Sequence, residues 1–458
     1  LLQLGDRMSH ASACGGSFLR CLACALFIAG TWCAESGSPS LESFAELDLA
    51  NVAVTAVAPG FLSSEAPALL ATQFSPTEKE DGIFYIPDIA SLKAGSGKEE
   101  ATLVTLDTDA VWPNQAVEVS SGVVGGTAET DQVVLASGGF FVSVPGFPSK
   151  STGEVDLYFG SSGNASFAKK QVSTDKHGFF YHHAEWTDVD GDGDQDLFAA
   201  RCFYPQHPNM GPATTADLVW LEQPKNGRED SWTSHTVIVD GPEVAFTVVD
   251  LDQNGKHQIL SAEYFVNQRL ALYTCNASTW SGCADGLGVE VFIVDDSEGT
   301  MFDLEWVDLN ADGTKDILAT SQGLNGKGKV LAYEMPKDWS TPGATWTKHE
   351  LASGYAPLKP WLPGQGSPGT ARSFMIDGEE LPRIIVSADD GGHVDILTPV
   401  LGEEGVSSWT WNYTKTVVLE SSGTIGTVST FDIDEDGTPE VFVPLYEESR
   451  LGMYTLKV

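Results

Sequence analysis

Four short acidic loops in one register constrain this chain more than any other feature. They read Asp188-Val-Asp190-Gly-Asp192-Gly193-Asp194-Gln-Asp196, Asp250-Leu-Asp252-Gln-Asn254-Gly255-Lys-His-Gln258, Asp308-Leu-Asn310-Ala-Asp312-Gly313-Thr-Lys-Asp316 and Asp432-Ile-Asp434-Glu-Asp436-Gly437-Thr-Pro-Glu440. Each sets oxygen-bearing side chains at positions 1, 3, 5 and 9 around a glycine at position 6. The glycine permits the sharp turn that folds those oxygens inward. Six to eight oxygens at about 2.3–2.6 Å suit calcium, the expected occupant, with the position 7 carbonyl adding a ligand. The first loop carries the most charge. The second, with Asn254 and Gln258, is expected to bind most weakly.

An EF-hand loop opens in the same way but needs a bidentate Glu at position 12. Here that position holds Ala199, Ser261, Ala319 or Val443. Leu197-Phe-Ala-Ala200, Ile259-Leu-Ser-Ala262 and Ile317-Leu-Ala-Thr320 follow the loops as apolar runs of strand length. Each loop is therefore expected to join two β-strands.

The loops start at 188, 250, 308 and 432, so the gaps are 62, 58 and 124 residues, the last spanning two periods. The hidden copy shows as Phe374-Met-Ile-Asp377-Gly378 before Pro382-Arg-Ile-Ile-Val-Ser387. Projecting backwards finds Asp131-Gln-Val-Val-Leu-Ala-Ser137 and Ala68-Leu-Leu-Ala-Thr-Gln-Phe74, which keep the apolar strand without the acidic loop. Further strands open near Gly82, Glu154, Asp217, Arg269, Lys329, His393 and Arg450, and others follow Trp232, Trp346 and Trp411. Seven units of four strands repeated radially make an all-β, seven-bladed β-propeller over residues 43–458. The last unit ends one strand short at Val458, and Phe44-Ala-Glu-Leu-Asp-Leu49 is expected to supply the missing edge.

Asp-x-Asp-x-Asp-Gly-x-x-Asp followed by Ile or Leu, between strands at this period, resembles the FG-GAP/VCBS repeats, as in the seven-bladed propeller heading integrin α-subunits. The resemblance spans roughly residues 45–458 and is carried by the four full loops, while the first two units depart from the pattern. It implies the propeller fold and calcium at those four loops. Family functions run from adhesion and glycan binding to occasional enzymes, so fold alone does not choose among them.

The chain has 25 basic and 64 acidic residues, a formal charge of −39, which argues against nucleic acid or anionic membrane as a partner. Arg20 precedes Cys21-Leu-Ala-Cys-Ala-Leu-Phe-Ile-Ala-Gly30, an apolar core too short to span a bilayer, and small residues follow. Residues 1–36 thus read as an N-terminal extension and secretory signal, with no transmembrane segment expected in the mature chain. Cys275 and Cys283 are expected to close a small disulfide loop, contributing roughly 2–3 kcal/mol. Cys202 then stays unpaired as a buried apolar side chain. Asn164, Asn276 and Asn412 head glycosylation sequons, which fits a secreted, extracellular chain.

The cluster that most suggests catalysis is His177, His182, His183 and Glu185, with His207 downstream. Glu185 and Glu305 each stand three residues before a loop, so both are expected near the ring axis. Imidazole beside carboxylate suits a transition metal or acid–base work on a sugar. The simpler reading has His182 and His183 capping a strand and Glu185 solvated, and it is preferred because no spacing motif fixes a catalytic geometry. No phosphate loop, serine-hydrolase elbow or zinc-protease signature occurs. Trp186 and Trp306 recur at equivalent positions, as core residues do, whereas Trp361 lies in a long irregular loop suited to ligand contact. The leading expectation is a secreted calcium-binding module that recognises a glycan or extracellular protein, with no catalytic residues assigned. A carbohydrate-active enzyme of lyase or dehydratase type, working in the central channel, is the alternative. A structural wall or matrix component is a third class.

Overall fold

The computed structural model describes residues 38–63, 66–76, 81–95, 101–140, 152–161, 166–174, 178–203, 215–323, 327–341, 343–362, 364–402, 405–406 and 409–458. The expected signal lies outside that set. Seven four-stranded antiparallel sheets form. β1 (Ser40–Asp48) precedes blade 1, which holds β2 (Val52–Ser63), β3 (Ala66–Gln73), β4 (Asp81–Ile86), the helix α1 (Ile89–Ala94) and β5 (Val104–Ala110). Blade 2 holds β6 (Pro113–Val119), β7 (Asp131–Gly138), β8 (Val155–Ser161) and β9 (Ala168–Gln171). Blade 3 holds β10 (Phe179–Thr187), β11 (Asp196–Phe203), β12 (Thr215–Glu222) and β13 (Thr233–Val239). Blade 4 holds β14 (Ala245–Val249), β15 (Gln258–Glu263), β16 (Arg269–Cys275) and β17 (Val289–Asp295). Blade 5 holds β18 (Met301–Val307), β19 (Asp316–Ser321), β20 (Gly328–Glu334) and β21 (Thr347–Tyr355). Blade 6 holds β22 (Ala371–Phe374), β23 (Arg383–Ser387), β24 (His393–Pro399) and β25 (Tyr413–Glu420). Blade 7 holds β26 (Ser429–Phe431), β27 (Glu440–Leu445) and β28 (Arg450–Lys457).

Blade 7 is completed by β1, which pairs with β28 from Ser40↔Lys457 to Asp48↔Arg450. The first and last strands therefore close the ring in one sheet, as the short last unit implies. The strand starts at Ser40, ahead of the expected Phe44.

The second strand of each blade explains why apolar runs, and not alternation, mark the repeats. Along β11, Leu197 and Ala199 pack toward blade 2, while Phe198 and Ala200 pack toward blade 4. A strand buried on both faces must be apolar at every position. The core is accordingly divided into seven clusters, each between two neighbouring blades. Trp186 meets Trp232 edge-on in one, and Trp306 meets Trp346 in another, so both repeating tryptophans pack against the core.

Cys275 and Cys283 form the expected disulfide. Cys202 is unpaired and buried, and burial pushes its thiol far above the usual range, with Glu243 and Asp217 adding to the rise. It behaves as a packing residue. Asn276 and Asn412 are exposed, while Asn164 lies outside the described residues. Among the described residues, no helix is long and apolar enough to cross a membrane.

Candidate functional site

The four acidic loops join the first and second strands of blades 3, 4, 5 and 7 and share one hydrogen-bond scheme. The position 1 carboxylate accepts from the glycine N–H at position 6, at Gly193, Gly255, Gly313 and Gly437. The position 5 side chain accepts from the N–H at position 7 in every copy. The position 9 oxygen of Asp196, Gln258, Asp316 or Glu440 accepts from the N–H at position 2. The oxygens suited to a cation also fold the turn. Position 4 is left-handed in all four, at Gly191, Gln253, Ala311 and Glu435. Three copies thus hold a residue with a Cβ in a conformation that costs it about 1–2 kcal/mol.

The copies differ in what those oxygens face. In the first, one oxygen each from Asp188, Asp190 and Asp196 lie within 4.8 Å of one another. Burial pushes Asp196 up to about 6. Asp192 and Asp194 are exposed at its rim. In the third, Asp308 has a buried Oδ1 without a hydrogen-bond partner, beside Asn310, Asp312 and Asp316. Burial pushes Asp316 up to about 7. Both donor sets fit a hard cation. In the second, Asp252 Oδ1 accepts from the Trp339 indole at 2.9 Å, and Gln258 Nε2 donates to the Lys256 carbonyl. One of those oxygens is thus engaged by an indole of blade 5, and the Gln258 amide is turned to the loop backbone. In the fourth, Asp432, Asp434 and Glu440 bring one oxygen each equally close, but an ammonium stands among them: Lys93 Nζ lies 2.6 Å from Asp434 Oδ2 and 2.5 Å from Glu440 Oε1.

The inner strands enclose an axial cavity of about 1110 Å³. Glu185 and Glu305 line it, as their positions imply, and so do His182 and His183. His177 and His207 lie outside the described residues. The histidines do not cap a strand: they lie within β10, where a bulge after Tyr181 interrupts the alternation. Burial depresses His182 to about 4, with His183 adding to the fall. The two glutamates are not free acids. Glu185 accepts from Thr247 Oγ1 and Val248 N, and Glu305 accepts from Ser373 Oγ and N. Each staples its blade to the inner strand of the next.

A second constellation at the cavity escaped the sequence reading. Asp390 Oδ1 accepts from Gln365 Nε2 at 3.0 Å and Thr424 Oγ1 at 2.7 Å, and Oδ2 accepts from Gly366 N at 2.9 Å. Asp389 beside it is held at φ 52. Burial raises both carboxyls, Asp389 the further, with its neighbours Asp390 and Glu447 adding to the rise. Thr424 links Asp390 to Glu447, and Tyr446 then leads into an aromatic run. Tyr446 meets Phe74 at 6.2 Å, Phe74 stacks on Trp112 at 4.2 Å, and Trp112 meets Phe140 at 3.9 Å. Asp389, Asp390, Thr424, Tyr446, Phe74, Trp112 and Phe140 all line the one cavity. Trp361 is 75% exposed and does not line it, although Gly364 and Gln365 of the same loop do.

No family model and no curated protein matches the chain, so the FG-GAP/VCBS likeness rests on the four loops themselves. Among solved structures the chain is similar to the NanB sialidase of Streptococcus pneumoniae, at 12% identity and a TM-score of 0.36, over 90% of this chain and 69% of that one. A likeness that remote assigns no chemistry, which must come from the residues in the cavity.

Proposed function

We propose that this is a secreted, calcium-stabilised propeller that binds a glycan of neutral or amino-bearing sugars at the axial cavity. The observation that carries the reading is the unbroken run from Asp390 through Thr424 and Tyr446 to Phe74, Trp112 and Phe140 on one cavity wall. Aromatic faces supply apolar contact area, and adjacent carboxylates and amides accept from hydroxyl or ammonium groups. The lining includes Glu185, Asp303, Glu305, Asp389 and Asp390 against Lys315 and Arg372, and Arg372 is spent on a bidentate pair with Asp303. An acidic wall disfavours anionic sugars. A glycan array probed with the full chain is expected to retain neutral or amino sugars. Phe140→Ala is expected to weaken that binding about tenfold, or 1.4 kcal/mol, with unfolding unchanged. An array on which only sulfated or carboxylated sugars bind, or none at all, would overturn the reading.

Asp389 and Asp390 also favour a second reading, an enzyme acting on carbohydrate. Neighbouring half-buried carboxyls raised by desolvation and by each other hold protons more readily than free ones, which would suit one to general acid work beside the other. On that reading Asp389→Asn abolishes turnover of the bound sugar while leaving its retention intact. Binding without turnover in the parent chain would leave recognition alone.

Calcium at the first and third loops is supported by the close carboxylates of one and the unpartnered Asp308 oxygen of the other. Secretion is supported by the disulfide and the exposed sequon asparagines. An ion held at a hundred times its Kd stabilises the folded chain by about 2.7 kcal/mol. EDTA is therefore expected to lower the melting temperature, and Asp188→Asn to remove much of that response. A melt indifferent to EDTA would leave these loops as acidic turns.

A further inference from the structure

We infer that the Lys93 ammonium is the resident cation of the fourth loop, so that Asp432, Asp434, Asp436 and Glu440 hold no calcium in this protein. Lys93 Nζ approaches the side chains at positions 3, 5 and 9: Asp434 at 2.6 Å, Asp436 at 3.9 Å and Glu440 at 2.5 Å. A calcium bound by these oxygens would sit about 2.3–2.6 Å from each. That is the space the nitrogen fills, and two cations cannot share it. An ammonium is a compact unit charge with three donors, able to serve several carboxylates at once.

The lysine is delivered by a fixed element. Asp88 caps α1, its Oδ1 accepting from Ser91 N at 3.1 Å. Ile89 is buried in the cluster between blades 7 and 1, and Leu92 packs against it. The Lys93 side chain is only 14% exposed and Glu440 is fully buried, so the pair is an interior contact and not a chance surface encounter. Breaking one partner of such a pair strands the other charge. Among the described residues, no Lys or Arg pairs with the acids of the other three loops.

Position in the ring explains the substitution. The fourth loop belongs to blade 7, the sheet that joins the first and last strands, and Lys93 comes from blade 1. The contact therefore spans the joint beside which the ring closes, linking residues 347 apart in sequence. A lysine makes that clasp permanent, whereas an ion held at about 10⁻⁴–10⁻³ M would leave it open whenever calcium fell.

The inference concerns the fourth loop alone and stands whether or not the other loops take ions. Its test is the number of calcium ions bound per full chain by equilibrium dialysis. Lys93→Met is expected to bind one ion more than the parent, to melt below it in EDTA, and to recover in millimolar calcium. An equal ion count in folded Lys93→Met would overturn the proposal. Should that variant not fold, Asp434→Asn in the parent decides: an unchanged count supports the lysine, and the loss of one ion refutes it.

Discussion

A chain that starts after Asp48 is expected to lose the closed ring, not merely one strand. β1 pairs with β28 along its whole length, and Leu41, Phe44 and Leu47 pack into the clusters flanking blade 7. Burying a large apolar side chain contributes about 1.5–3 kcal/mol when complete. Three partly buried ones plus a ladder of hydrogen bonds amount to roughly 5 kcal/mol. That is a large share of the 5–15 kcal/mol by which a folded chain typically exceeds its unfolded state. The bared edge of β28 would also offer unpaired N–H and C=O groups to another molecule. Urea unfolding should show a lower or broadened transition, and size exclusion should show self-association. Leu47→Asp, which sets a charge opposite Leu451, should reproduce the defect in part. A truncated chain with the parent's midpoint and full amide protection in β28 would mean that the ring does not depend on this strand.

The same ring shows which features a sequence can carry. Strands such as β7 and β23 were legible without their acidic loops because burial on both faces demands uninterrupted apolar residues, as in Val133, Val134 and Leu135. Glycine at position 6 was legible because its conformation is glycine's own. The left-handed position 4 was not, since Gln253, Ala311 and Glu435 give no sign of it. Placement of Glu185 and Glu305 near the axis followed from the repeat, but the role of Glu185 did not, because its partners Thr247 and Val248 belong to the next blade. Lys93 escaped for the same reason at longer range. Asp389-Asp390-Gly391-Gly392 reads as an ordinary turn, and only closure of the ring brings it to the cavity wall beside residues of blades 7, 1 and 2. Local pattern fixes strands and turns. Contacts between blades are invisible to it.

Glu243 makes a long-range contact inside blade 4, and Glu243→Ala is expected to be among the most damaging single substitutions. The residue is fully buried just before β14, and its Oε1 accepts from three successive N–H groups, those of Tyr264, Phe265 and Val266. Truncation would strand three half-buried donors, and partial access to water brings the expected loss to roughly 2–4 kcal/mol. Glu243→Gln keeps the oxygen and separates hydrogen bonding from charge. Burial pushes the Glu243 carboxyl up to about 7, against the pull of the N–H groups and with Glu263 adding to the rise. An unfolded glutamate loses its proton near pH 4.3. Across the window from about 4.3 to about 7, the folded chain therefore holds a proton that the unfolded chain has released. The contribution is full below the window and falls as pH rises through it, by on the order of 3 kcal/mol. Glu243→Gln should match the parent near pH 4 and exceed it at pH 8, in urea unfolding at fixed calcium. Parallel pH profiles for the two proteins would show that Glu243 is already ionised when folded. The turn also carries Tyr264, whose hydroxyl donates to Gln322 Oε1 at 2.6 Å and so ties blade 4 to blade 5. The alanine variant should therefore loosen that joint, and the glutamine variant should leave it intact.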